Sequence, residues 1–420
     1  MGFYIKLFYR NRPMKVENIS VYEHQNLKVG TNGFTKKHLD SLLRWQFKQQ
    51  KSASQYFSLI GQGIKFKSWV GILQVGNLYI EILPKISNQN DSTDDVIQWR
   101  RRLCRMLSVT KTLDIRQTEK SSQGTFNHSL WEIFYKYYLL LVEDLVKTGL
   151  IKSYRKEEKN RTALKGKLNF SKQISKNLIH QEKFYTNSFV YDKDSLLNQI
   201  IIKGLRIISR HPSIIYEAKS LLECFEDIQD ISTASIDWER VELFKRERKT
   251  EKYTSALIFA EMIIKGTNPN LSTGQYNVTG IMFDMNVLFE KYVAQTMMRF
   301  FPNKIYTQKA SRIWETRLAI PDIVYKKNNQ ETIIFDTKWK KIITNIDVAS
   351  QDIYQQYVYC KLYSANKAFL IYPWYNGIEN NNLLLEEKIT SEDIELFKTS
   401  PYRIKNENTS LGIIYWKWRD

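Results

Sequence analysis

The chain has 420 residues, 43% of them hydrophobic, and carries 63 lysines and arginines against 44 aspartates and glutamates, a formal net charge of +19. That length supports about two to three domains with cores of their own, and the positive excess suits a polyanionic partner such as nucleic acid through long-range attraction and counterion release. Three widely separated cysteines (Cys104, Cys224, Cys360), five scattered histidines and the lack of any apolar run reaching ~18 residues exclude a disulfide framework, a zinc centre and a membrane-spanning helix.

The opening segment has no signal-peptide apolar region, so a reducing cytoplasm is the expected location. Residues 1–110 read as a β-rich amino-terminal domain. Residues 56–60 (YFSLI) form one strand, and 65–84 alternate apolar positions around Gly76-Asn77 as a hairpin does. A polar, turn-forming break at 89–95 is followed by a helix from Val96 to Val109. Residues 111–275 read as a mainly helical, partner-binding region. Residues 126–150 have the helical period, with Trp131, Phe134, Leu139, Leu140, Leu145 and Leu150 expected on the buried face. Residues 196–228 read as two helices broken at His211-Pro212, and 254–265 as another buried helix. A loop rich in Gly, Pro, Ser and Thr at 268–280 marks the boundary of a third domain, 276–420.

That last domain carries the chemistry. Pro321-Asp322 is followed, fourteen positions on, by Asp336-Thr337-Lys338 at the end of the apolar run Ile333-Ile334-Phe335, with the turn-forming residues 326–330 between them. Two aspartates on neighbouring strands of a hairpin can share one hard cation, Mg2+ or equally Mn2+. Strand alternation puts Lys338 on the same face as Asp336, next to the attacking water, where it can orient or deprotonate that water and offset charge on the phosphorane. Phosphodiester hydrolysis needs this combination. Pro-Asp also opens ordinary turns and Asp-x-Lys arises by chance, so the surroundings decide the weight of the motif. A helix is expected at 284–300, a strand at 304–308, a helix at 347–364 and a strand at 367–373, giving the order helix, strand, strand, strand, helix, strand.

This segment resembles the PD-(D/E)xK nuclease superfamily, which implies an αβββαβ, restriction-endonuclease-like core within an overall α+β and α/β multidomain chain. In that superfamily the preceding helix often supplies a further acidic metal ligand, here Glu290, and nucleases similar to the RecB group carry a Q-x-x-x-Y pattern in the following helix, here Gln355 and Tyr359. At i and i+4 these two share one helical face. The resemblance implies a metal held by Asp322 and Asp336 with help from Glu290 and the Thr337 carbonyl. Basic residues bunch at Arg100–Arg105, 147–167 and 245–249; Lys340 and Lys341, beside the motif, are the best DNA-contact candidates. A solvated face or an acidic protein partner accounts equally for the other clusters.

Three blocks narrow the resemblance. VGILQVGNLYIEILPKI (70–86), FDMNVLFEKYVA (283–294), and the PD and DTK hairpin with its YQQYVY helix occur in the order seen in the McrC family of modification-dependent restriction systems, with LIKSYRKEEKNRTALKGKLNF (150–170) a weaker fourth. That family implies a phage-defence role as the DNA-cleaving subunit of a complex with a hexameric McrB-like AAA+ GTPase, whose hydrolysis it stimulates, acting on double-stranded, modified DNA. The sequence has no G-x-x-x-x-G-K-[S/T] loop, so no nucleotide is expected on this chain itself. Three other readings stay open: a stand-alone repair or transposon-end nuclease, a non-catalytic assembly factor that activates a AAA+ motor, and a basic nucleic-acid-binding protein with a coincidental motif.

Overall fold

The computed structural model describes residues 17–48, 56–76, 78–84, 93–112, 129–211, 213–266, 278–326, 331–342, 347–375, 383–386, 402–403 and 408–418. The chain divides into two compact units. One is built from Glu17–Leu73, Leu78–Leu130 and the chain from Met282 onward; the other centres on Trp131–Ile281.

In chain order the elements are β1 (Glu17–Tyr22), β2 (Asn26–Lys28), α1 (Lys36–Lys48), β3 (Phe57–Ile60), β4 (Gly63–Phe66), β5 (Trp69–Val75), β6 (Leu78–Leu83) and α2 (Thr93–Val109). Then come α3 (Leu130–Thr148), β7 (Ser153–Arg161), β8 (Lys167–Leu168), α4 (Phe170–Asn177), β9 (Phe184–Asp192), α5 (Leu196–Ile208), α6 (Ile215–Glu223), α7 (Trp238–Phe244), α8 (Thr254–Gly266) and β10 (Val278–Asp284). The last stretch holds α9 (Met285–Phe300), β11 (Ile305–Thr307), β12 (Ser311–Trp314), β13 (Arg317–Ala319), β14 (Ile323–Lys326), β15 (Thr332–Thr337), α10 (Ser350–Tyr363), β16 (Lys367–Pro373), β17 (Leu383–Glu386), β18 (Tyr402–Arg403) and β19 (Ser410–Lys417).

The main sheet runs β11-β14-β15-β16-β19-β17, with β18 beside β19. β11, β14 and β15 are antiparallel, whereas β15, β16, β19 and β17 are parallel. Parallel strands are covered on both faces and so read as continuous apolar runs, as Ile333-Ile334-Phe335 and Ala368 to Tyr372 do. Alternation assigns the covers. Ile334 packs with Tyr359, Cys360 and Ala368 under α10. On the other face, α9 brings Phe289 to Trp339 and Trp418, and stacks Tyr292 on Trp418 with centroids 5.3 Å apart. The α9 start is capped by Asp284, whose carboxylate accepts from the Asn286 amide at 2.9 Å.

A smaller sheet, β1-β6-β5-β10, pairs β1 and β6 in parallel, and β2-β4-β3 forms an antiparallel trio. Buried Glu81 ties the first of these together. Its carboxylate takes two hydrogen bonds from Arg100 at 2.7 Å, one from the Ser20 hydroxyl at 2.8 Å and one from the Leu130 amide at 2.9 Å. A buried charge survives only with such full pairing. Arg100 is therefore a structural residue and drops out of the basic surface expected around it.

In the second unit, α3, α5 and α8 pack through Phe134, Tyr137 and Tyr138 against Phe259. The Tyr138 hydroxyl donates to the Ile201 carbonyl at 2.9 Å, and Gly204 leaves room for that ring. The expected helix at 126–150 is present as α3, but Leu140 is 37% exposed because it falls off the buried stripe.

The middle region is less helical than expected. Residues 153–192 contain the three-stranded sheet β7-β9-β8, which the sequence hides because β7 reads SYRKEEKNR, with one aromatic and no aliphatic alternation. Gly166, at φ +81°, makes the turn onto β8, where a Cβ would lie 2.4 Å from the Asn187 carbonyl oxygen. The expected breaks at 89–92 and 268–277, and the hairpin turn at 327–330, lie outside the described residues; Val278 already belongs to β10.

Candidate active site

The antiparallel register of β14 and β15 pairs Ile323 with Phe335. One residue further out, the same register sets Asp322 opposite Asp336, and paired residues project from the same face. Asp336 and Lys338, two apart, share the face that α10 covers. The strand end is fixed beyond β15, where the Lys338 amide donates to the Ile371 carbonyl at 2.9 Å.

Asp336 is 2% exposed. The Lys338 ammonium lies 2.8 Å from its Oδ2, which has no well-aligned hydrogen bond from any other group. Asp322 is anchored differently: the Thr337 amide and hydroxyl both donate to its Oδ2 at 2.7 Å. Burial raises the Asp322 carboxyl above its usual range despite the Thr337 donors. Burial, with the nearby Asp322 charge, pushes Asp336 up to about 6. For Lys338, burial acts to lower the pKa, but the carboxylates of Asp336, Asp352 and Asp322 outweigh it and hold the ammonium above its usual value. Lys338 is accordingly a cation in this arrangement.

The Lys338 ammonium also donates to Gln355 Oε1 at 3.1 Å; Gln355 Nε2 donates to the Tyr359 hydroxyl at 2.7 Å, and Tyr359 donates to the Ile320 carbonyl at 3.0 Å. The i, i+4 pair on α10 is thus one hydrogen-bonded chain ending on Lys338 and on the backbone just before Pro321.

Glu290 sits on α9, half-buried, accepting from Gln308 Nε2 at 3.2 Å. Its carboxyl is raised by burial and by the charge of Asp322. Glu290 is thus within range of the Asp322 charge, although among the described residues no group of three or more His, Cys, Asp or Glu side chains is gathered to hold a metal. Lys340 donates to Asp352 at 3.0 Å, and the Lys341 ammonium lies 4.7 Å from the Tyr375 ring centroid.

Two residues of the site escaped sequence reasoning. Asp352, buried at the first turn of α10, lies 3.6 Å from Lys338 and 3.0 Å from Lys340, a shared counter-ion for both. Its i, i+3 offset from Gln355 was a usable signal. Glu23, at the end of β1, accepts from Trp339 Nε1 at 2.7 Å in a buried bond, and Trp339 also meets Trp99 edge-on at 6.4 Å. The loop immediately after Lys338 is thereby fastened to the amino-terminal sheet, a contact spanning more than three hundred residues that no local pattern reveals.

The chemistry available here is that of two hard oxygen donors and one fixed cation. Residues 64–373 match the family model described as McrBC 5-methylcytosine restriction system component. No curated protein matches the chain significantly. Its fold is similar to a chain in the refined half-complex from a tetradecameric assembly of Thermococcus gammatolerans McrB AAA+ hexamers with bound McrC, at 20% identity and a TM-score of 0.64, over 95% of this chain and 94% of that one. A chain in the cryo-EM structure of the Thermococcus gammatolerans McrBC complex is 21% identical over 68% of this chain and 88% of that one, with a TM-score of 0.48. At these identities the structural likeness concerns the fold, whereas the family match spans most of the sequence: the chain belongs to the family of McrBC 5-methylcytosine restriction system components.

Proposed function

We propose that this chain is the DNA-cleaving subunit of a restriction system directed at modified double-stranded DNA, a PD-(D/E)xK nuclease that hydrolyses phosphodiesters at Asp322, Asp336 and Lys338. The observation that carries the reading is a carboxylate pair at the end of β15, Asp336 buried and Asp322 half-buried opposite it, with an ammonium 2.8 Å from Asp336. Burying two like charges side by side works against the fold, and groups held in that way cluster where chemistry is done.

The residues fit a divalent ion. Asp336 Oδ2 is buried with no aligned donor besides the Lys338 ammonium, and both carboxyls are raised, so a divalent ion there would offset the cost of ionising them. Asp322, Asp336 and the Thr337 carbonyl would hold it, with Glu290 acting from further out; Mg2+ commonly keeps several waters, so two carboxylates suffice. Such an ion supplies Lewis-acid stabilisation of the phosphate and a lower pKa for water. Thr337, through its amide and hydroxyl, aims the Asp322 carboxylate. Lys338, held protonated, orients the attacking water and offsets charge building on the phosphorane oxygens, which favours an electrostatic role over that of a base. Gln355 and Tyr359 hold Lys338 in place.

We take cleavage to depend on a separate motor, a McrB-like AAA+ GTPase that the chain stimulates, a reading supported by the match to the McrBC component family. Exposed apolar groups on the second unit suit a protein partner: Tyr154, Phe189 and Tyr191 on β7 and β9, and Phe170 and Ile174 along α4 with Leu178 just past its end, among many lysines. The test is plasmid cleavage in Mg2+ by the purified chain, with and without the motor and GTP, on methylated and unmethylated DNA. Cleavage that requires motor, GTP and methylation is the expected result; efficient cleavage by the chain alone would make it a stand-alone nuclease.

A further inference from the structure

Between β11 and β14 the chain leaves the main sheet to form the two-stranded hairpin β12-β13. Sequence reasoning did not foresee it, and apart from Ala319 at its base, which joins the core beneath α10, its large apolar side chains stay outside the core. Trp314 is 71% exposed at the tip, with Ile313, Leu318 and Ile320 also exposed. The register slips between Arg312 and Trp314, so that Trp314 pairs with Arg317. An irregularity of this kind re-aims side chains at a strand end. Arg312 and Arg317 are exposed, and among the described residues neither forms a salt bridge with an acidic group.

The base of the hairpin is held rigidly to the active-site helix. Tyr363 donates to the Ala319 carbonyl at 3.1 Å and Tyr359 to the Ile320 carbonyl at 3.0 Å. Through Tyr359 and Gln355 the same chain of hydrogen bonds reaches the Lys338 ammonium. Two residues beyond Ile320 stands Asp322. The exposed tip and the metal-binding face are therefore parts of one braced assembly, and whatever the tip touches is registered against the reacting phosphate.

We propose that the β12-β13 hairpin grips the DNA duplex beside the scissile bond, with Arg312 and Arg317 on backbone phosphates and the Trp314 indole in the groove against sugar and base edges. Free guanidinium groups match the charge of the duplex, and a flat aromatic group between them suits sugars and bases. Continuity with the site of cleavage selects DNA over a protein as the occupant. The inference rests on the nuclease reading above.

The experiment uses the full chain assembled with its AAA+ motor, in an Asp336→Asn background so that DNA is bound but not cut. Binding of a fluorescein-labelled methylated duplex is followed by anisotropy across a salt series. Trp314→Ala should weaken binding roughly tenfold and Trp314→Phe should recover most of it. Arg312→Ala and Arg317→Ala should each reduce the slope of log affinity against log salt by about one. In otherwise wild-type protein, Trp314→Ala should raise the DNA concentration giving half-maximal cleavage. Unchanged duplex binding in Trp314→Ala overturns the proposal, as does loss of co-elution with the motor while DNA binding persists, which would assign the tip to a protein contact. Failure of the wild-type complex to cleave would count against the nuclease reading alone, because the binding measurements judge the hairpin independently.

Discussion

Replacing Asp336 by asparagine should make the metal-free protein more stable while ending its activity. The Asp336 carboxyl is pushed up from 3.8 to about 6 by burial and by Asp322. A raised folded-state pKa means the protonated form is the one the fold favours. The associated stability is complete below about pH 3.8 and is lost as pH rises through about 6, so at about pH 7.5 the ionised group costs the fold about 3 kcal/mol. Asparagine keeps the shape without the charge, and Lys338 retains Gln355 at 3.1 Å and Asp352 at 3.6 Å. In EDTA at about pH 7.5, the variant should unfold about 3 °C above wild type by differential scanning fluorimetry. The gap should shrink to about a third of its size at about pH 4.5 and close only below about pH 3.8, where the carboxyl is protonated in both the folded and the unfolded chain. Added Mg2+ should raise the midpoint of wild type but not of the variant. A variant that melts at or below the wild-type temperature in EDTA at about pH 7.5 would refute the reasoning that charge burial strains this site.

Two further outcomes probe the residues that sequence reasoning missed. Asp352→Asn removes the counter-ion shared by Lys338 and Lys340, so the cleavage rate at saturating DNA should fall roughly tenfold while the freed Lys340 makes DNA binding tighter and more salt-dependent; steady-state cleavage and anisotropy separate the two. Glu23→Ala removes the buried acceptor of the Trp339 indole and should lower stability by about 2 kcal/mol, seen as a lower urea midpoint, with slower cleavage from a loosened loop after Lys338.

The parts of this protein that could be read from its sequence are those whose logic is local. The hairpin carrying Asp322 and Asp336, the flanking α9 and α10, and strand β16 stand where apolar period and turn residues placed them. Gln355 and Tyr359 were visible as an i, i+4 pair on one helix face. What escaped is non-local or polar. β7 alternates between half-buried and exposed residues with hardly any apolar signal, because that sheet buries little on either face. The β12-β13 hairpin is too short for a period to register. Glu23 meets Trp339 only because β1 joins the same unit as β15, and Arg100, read as one of a surface cluster, turns inward to neutralise Glu81. Charge runs in sequence do not say which member of the run is solvated.

Asp322, Asp336 and Lys338 are proposed to form a hydrolytic site served by a separate motor. The most direct measurement follows single-turnover cleavage of methylated DNA and GTP hydrolysis in the same reaction, using wild-type protein and Asp322→Ala, Asp336→Ala and Lys338→Ala variants assembled with the motor. Loss of cleavage in all three, with GTP hydrolysis still stimulated to the wild-type level, is the expected result. Cleavage at the wild-type rate by Asp336→Ala would move the chemistry elsewhere in the complex.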